Sequence, residues 1–275
     1  MGAPRRPRRV GTPSKRGTSS RPPFGPAIAV QPAKKRRFRE RLLKWYARHG
    51  RDLPWRTTTE PYHILVSEIM LQQTQVDRVL PKYREWLAKY PTMEDLAEAS
   101  LDEVTRTWYP LGYNIRPVRL HGIARESVAR YGGTLPRDPE QLQAFKGIGR
   151  YTAGAIRSFA FQEDAPILDT NVMRVLHRVF VGAGDPKKRK AALWDLAGAL
   201  VPKGRGYDFN QALMDFGATV CIARDPYCLL CPMQDFCMAY PFSPGGGPAD
   251  APPGPIRARR GPADAPPGPT RPTRP

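Results

Sequence analysis

Apolar side chains in the central part of this 275-residue chain return every third or fourth position, whereas the alternation that marks half-buried strands is almost absent. The spacing predicts a basic amphipathic helix over Phe38–Tyr46, ending near Gly50. It predicts one or two buried helices over Ile64–Leu87, with Pro81 marking a break. Thr92 opens a short helix with Glu94 and Asp95 in its first turn, and Leu101–Trp108 forms the next. Val118–Tyr131 runs to a stop at Gly132-Gly133, and Pro139–Phe145 is a short helix before a glycine turn. Thr152–Phe161, Val172–Phe180, Lys190–Val201 and Phe209–Val220 complete an all-α pattern.

Charge changes this picture at the ends. The formal net charge is +19, yet residues 1–39 hold twelve Lys or Arg without one acid, and residues 241–275 hold five Arg against two Asp. The stretch 40–240 keeps 27 basic and 23 acidic residues, so the ends carry most of the excess. Both ends are poor in large apolar groups and cannot offset the entropy of ordering. Residues 1–39 are therefore expected as a disordered basic arm, and 241–275 as a disordered Pro/Gly/Arg tail in which GPADAPPGP occurs twice. A basic arm of this kind either adds salt-sensitive DNA affinity or simply solubilises the chain. No apolar run reaches the length of a membrane span, and nothing at the N-terminus reads as a secretory leader. A cytoplasmic location is the expectation, although an Arg-rich, acid-free arm also fits an organelle transit segment.

All four cysteines, Cys221, Cys228, Cys231 and Cys237, fall within 17 residues in a C-x6-C-x2-C-x5-C pattern. Thiolates clustered in this way select zinc or an iron–sulfur centre. Structural zinc usually takes two tight knuckles, and here there is one C-x-x-C with a longer arm on each side, so a [4Fe–4S] cluster is the first expectation. Two disulfides are the alternative, disfavoured where thiols stay reduced. The four histidines, His49, His63, His121 and His177, show no metal spacing.

Phe145-Lys-Gly147-Ile-Gly149-Arg150-Tyr151-Thr reads as helix, tight turn, helix, and the helix after the turn begins with free N–H groups suited to a phosphate. Together with the cysteine spacing, Gly147–Ala153 resembles the helix–hairpin–helix of the DNA glycosylase superfamily that includes endonuclease III and adenine DNA glycosylase. The resemblance covers about Phe38 to Tyr240. Its motifs are Leu53-Pro-Trp-Arg56, Ser67-Glu-Ile-Met-Leu-Gln-Gln-Thr-Gln75, Leu111-Gly-Tyr113, Ile167-Leu-Asp-Thr-Asn-Val172 and Phe209-Asn-Gln-Ala-Leu-Met-Asp215. The first two look most like the adenine branch.

Cleaving an N-glycosidic bond requires a proton for the leaving base and stabilisation of an oxocarbenium-like sugar, a task suited to two carboxylates in different environments. Glu68 lies in an apolar stretch, where desolvation raises its pKa. The resemblance makes it the proton donor to the base. Asp169 precedes a helix start, a position that favours the ionised form and lowers its pKa. The resemblance gives it the sugar cation to stabilise, with Asn171 hydrogen-bonded beside it. Tyr151 stands where the lyase branch carries a Schiff-base lysine, which predicts a monofunctional enzyme. Gln72 and Tyr113 match the positions that fill the gap left by an extruded base, with Gly147, Gly149 and Arg150 as hairpin contacts to DNA. Trp55, Arg56 and Asp215 are expected at the base pocket, and Arg224 as a phosphate contact beside the cluster.

The resemblance implies two helical domains with DNA between them. One spans 57–166 and ends in the hairpin. The other joins 40–56 to 167–240 and holds the cluster. It also implies a monomer acting on double-stranded DNA with a mismatched or damaged base. After Tyr240 only low-complexity sequence follows, whereas adenine DNA glycosylases carry a further C-terminal domain, and Asn114 stands where a second tyrosine is usual. Mismatch thymine or uracil removal therefore remains an alternative to adenine removal. A non-catalytic DNA-binding module is a third reading, disfavoured by the presence of both Glu68 and Asp169.

Overall fold

The computed structural model describes residues 27–242, and among these every regular element is helical. The expectations for residues 1–26 and 243–275, including the repeated tail motif, lie outside the described residues. In chain order the α-helices are α1 (Pro32–His49), α2 (Pro61–Met70), α3 (Val76–Lys89), α4 (Met93–Glu98), α5 (Leu101–Trp108) and α6 (Ile115–Tyr131). They continue with α7 (Pro139–Ala144), α8 (Arg150–Phe159), α9 (Thr170–Phe180), α10 (Lys190–Leu200) and α11 (Gly206–Thr219). No described helix is long and apolar enough to cross a membrane.

The helices sort by packing. α2 lies against α3, α6 and α8, α6 against α4 and α5, and α7 against α8. α1 instead crosses to α11, which packs on α9, and α9 on α10. Contacts between α8 and α11 join the two groups. Trp86 is the centre of the first: its ring meets Trp108 edge-on at 5.5 Å, and its Nε1 donates to Tyr62 Oη at 3.1 Å. Phe38 holds α1 to the second, fully buried between Phe180 and Phe209 with ring centroids at 5.1 and 6.3 Å.

Two expectations about local structure are corrected. The arm boundary at residue 39 falls too late, because α1 starts at Pro32, whose fixed φ suits a first helical turn. Pro81 does not break a helix. It sits within α3 on the solvent side, where the carbonyl it leaves unpaired belongs to exposed Asp77, while Val79, Tyr83 and Trp86 bury the opposite face. The break falls at Leu71–Gln75, where Gln73 adopts φ +56°. Other punctuation is as expected. Thr92 and Asp95 form a reciprocal cap on α4, and α6 ends at Gly132 in the left-handed region.

Candidate active site

Three helices deliver the central residues. α2 is buried along Ile64–Met70, so Glu68 is carried into the interior with 5% of its surface exposed. α8 packs on α2 and presents Tyr151 from its first turn. α9 starts at Asp169, whose carboxylate accepts the Val172 N–H at 2.6 Å as N-cap. Glu68, Tyr151, Asp169 and Asn171 line one cleft of about 880 Å³ together with Trp55, Arg56 and Gln72.

The electrostatics of this group follow from burial. Desolvation pushes the Glu68 carboxyl up to about 7, with Asp169 adding to the rise while the Tyr151 hydrogen bond and Arg56 oppose it. A group so poised can give up a proton and take one back near neutral pH. Tyr151 is driven the same way, well above the ordinary phenol range, by burial and by the Glu68 and Asp169 carboxyls. It therefore stays protonated; its hydroxyl donates to Met214 Sδ at 3.8 Å and lies close enough to Glu68 to lower that carboxyl's pKa. Asp169 departs from expectation. Burial raises its pKa above the ordinary value, outweighing the Val172 and Asn171 N–H groups, Arg174 and the Asn171 side chain, all of which lower it. A helix N-terminus favours the carboxylate, but desolvation is the larger effect here.

The residues assigned to the base pocket divide. Trp55 lines the cleft, 5% exposed, with its ring edge-on to Tyr83 at 5.3 Å. Asp215 is fully buried behind Arg56 and does not line it. It accepts from Arg56 Nη2 and Arg51 Nε, both at 2.7 Å. Burial alone would raise the Asp215 carboxyl, but the Arg56 and Arg51 bonds hold it below its ordinary value. The pair thus braces the pocket wall, and Arg56 Nε is left buried without a partner. Gln72 lies on the cleft lining, while Tyr113 is outside it, 57% exposed on the loop before α6. Gly147, Gly149 and Arg150 form the turn into α8, with the Arg150 guanidinium 4.1 Å above the Trp194 ring. Arg224 is exposed on the cysteine loop. Gln211, 3% exposed, also lines the cleft and was not anticipated. Its position one helical turn before Asp215 within Asn-Gln-Ala-Leu-Met-Asp was the available signal.

Below α9, Cys221, Cys228, Cys231 and Cys237 all line one small apolar cavity, walled also by Phe216, Tyr227 and Phe242. None is in a disulfide. Arg178 reaches Cys221 Sγ at 3.6 Å, and the Met233 N–H reaches Cys231 Sγ at 3.4 Å. Among the described residues no three metal-binding side chains converge tightly enough for one ion. Four thiols spread around a shared cavity fit a multi-atom cluster better than a lone ion. Burial pushes the Cys231 thiol up to about 12.

The chain thus combines a glycine turn leading into α8, a buried carboxyl that shares a cleft with a capping aspartate, and a thiol-lined cavity. Residues 66–198 match the HhH-GPD superfamily of base excision DNA repair proteins, and the chain belongs to that superfamily. It is 48% identical over 214 residues to adenine DNA glycosylase of Rattus norvegicus, covering 74% of this chain and 42% of that one. It is 43% identical to adenine DNA glycosylase of Mycobacterium tuberculosis, covering 77% of this chain and 70% of the other. The solved structure of a thermostable thymine-DNA glycosylase aligns with a TM-score of 0.71 at 35% identity, over 76% of this chain and 97% of that one. The chain thus spans about two fifths of the length of the rat relative.

Proposed function

We propose that the chain is a monofunctional DNA glycosylase that removes adenine mispaired with guanine or 8-oxoguanine, acting as a monomer on double-stranded DNA. The observation that carries this reading is Glu68, a buried carboxyl with a pKa of about 7 on the lining of a cleft that also holds Asp169. The extruded base enters beside Trp55. Glu68 gives its proton to a purine ring nitrogen, the N-glycosidic bond breaks with its electron pair passing to the base, and positive charge develops on the sugar. Asp169, held by the first turn of α9, faces that charge as a carboxylate. Water adds to the sugar carbon and returns a proton to Glu68, leaving a free base and an abasic site. Tyr151 orients the Glu68 carboxyl, and its phenol forms no Schiff base with the sugar, so strand cleavage by that route is closed. The hairpin N–H groups ahead of α8 and Arg150 supply backbone contacts to the duplex.

Cys221, Cys228, Cys231 and Cys237 would hold a [4Fe–4S] cluster, which supplies structural support to the loop after α11 when bound. The adenine assignment rests on the relatives' names and the Leu-Pro-Trp-Arg and Met-Leu-Gln-Gln-Thr runs. A second reading, removal of thymine or uracil from mismatches, is favoured by the near-complete coverage of the thymine-DNA glycosylase structure. Single-turnover base release from duplexes containing A opposite 8-oxoguanine, A opposite G, and T or U opposite G separates the two. Strand cleavage at A only after alkali treatment is the expected result. Release of T or U with A untouched selects the second reading. Cleavage at A without alkali overturns the monofunctional assignment.

A further inference from the structure

Arg116 lies in the first turn of α6 and is 3% exposed, an unusual place for an unpaired guanidinium. No carboxylate neutralises it in any described ion pair. It is instead surrounded by oxygen atoms from the end of α2 and from the loops on either side of Gln72 and Gly112. Nη1 donates to the carbonyls of Ile69 and Met70 at 3.2 and 2.9 Å, and to that of Gln72. Nη2 donates to Thr74 Oγ1 at 3.1 Å and to the carbonyls of Leu111 and Gly112 at 3.2 and 3.1 Å. The guanidinium carbon also lies 5.1 Å from the Trp108 ring centroid and 5.2 Å from that of Tyr113.

The choice of carbonyls is informative. Gln73 and Tyr113 are two of the few described non-glycine residues with positive φ, at +56° and +50°. The carbonyls of Gln72 and Gly112 belong to the peptide groups that immediately precede them. Side chains rarely hold this backbone without enforcement by their surroundings. One cation therefore fastens both strained corners, and it also caps the last carbonyls of α2, the helix that carries Glu68.

We propose that Arg116 is a positioning residue for base extrusion: its planar fork fixes the Gln72 loop and the Tyr113 loop against each other and against the end of α2. The proposal rests on the glycosylase reading, in which those two loops enter the duplex. A lysine keeps the charge but cannot span both loops.

Chymotrypsin cleavage after Tyr113 tests the clamp without DNA. Arg116→Met is expected to raise the cleavage rate at least tenfold, with Arg116→Lys closer to Met than to Arg. Unchanged cleavage in both variants, with circular dichroism at the wild-type level, overturns the clamp. Extrusion is then read from 2-aminopurine fluorescence at the target position and from single-turnover release. Arg116→Lys is expected to lose at least tenfold in rate on a paired target, and to recover most of it on a target opposite an abasic site, where less stacking and pairing must be broken. The midpoint of its pH–rate profile stays at the wild-type value. Equal losses on both substrates, or a displaced midpoint, overturn the positioning role. Should the wild-type chain release no base at all, the glycosylase reading fails while the proteolysis result still decides the clamp.

Discussion

Ionising Glu68 places a charge where little water can solvate it, which is why its carboxyl is pushed from an ordinary 4.5 to about 7. Below pH 4.5 the group is protonated in both folded and unfolded chains, and folding suffers no penalty from it. As pH rises from 4.5 to 7 the unfolded chain releases its proton first, so stability is lost, by on the order of 3 kcal/mol once both states are ionised. Glu68→Gln is therefore expected to melt several degrees higher than wild type at pH 8, with the difference shrinking to nothing near pH 4, while base release is abolished. Thermal unfolding at the two pH values checks this. In wild type, base release should fall tenfold per pH unit above about 7. Glu68 was legible because its apolar neighbours in sequence are also its neighbours on α2. The direction of the Asp169 shift was not, because burial in the folded chain is invisible from a capping position alone. Arg116 was illegible for a related reason: before Pro117, at a helix start, an arginine reads as solvated charge until the distant end of α2 and the Gln72 loop are brought to it.

The two hairpin glycines show that one motif can combine different physical requirements. Gly147 has φ +117°, and a Cβ there would come within 3.0 Å of Arg119 Cδ. Gly149 has φ −92° as N-cap of α8, and a Cβ on it meets nothing within 4 Å. Gly147→Ala is expected to lower the melting temperature by several degrees, through backbone strain and crowding of α6. Gly149→Ala should leave the melting temperature within a degree or two of wild type and instead weaken duplex affinity, since its methyl group would stand where a phosphate approaches the helix N-terminus. Calorimetry paired with a DNA titration separates the two effects. Helix existence was readable from spacing almost throughout. The errors fell where tertiary packing overrode a local signal, as at Pro81, or where a helix reached further than its apolar stripe, as at Pro32.

At the scale of the whole molecule, the cysteine cavity and the cleft lie at the two ends of α9, which begins at Asp169 and carries Arg178 near its other end. Arg178 donates to the carbonyls of Ile222 and Ala223 and stacks 3.8 Å from the Phe242 ring centroid, so the cysteine loop is fastened to the helix whose N-terminus faces the cleft. Protein purified without air is expected to contain about four iron and four sulfide per chain and no zinc. Cys231→Ser should lower the iron content and the melting temperature together. One zinc per chain would contradict the cluster assignment.

The crossing of α1 to α11 has a consequence for biosynthesis. α1 leaves the ribosome before the other described helices, yet α9 and α11, which cover its apolar face, follow only after residue 169. At about 5–20 residues per second, Phe38 and Leu42 wait on the order of ten seconds for their partners, while α2 to α8 can already assemble. A nascent chain stalled after α8 should therefore hold a compact first group trailing an uncovered greasy helix, a natural target for a chaperone. Assembly of the described helices ends in a long-range capture of α1 by α9 and α11.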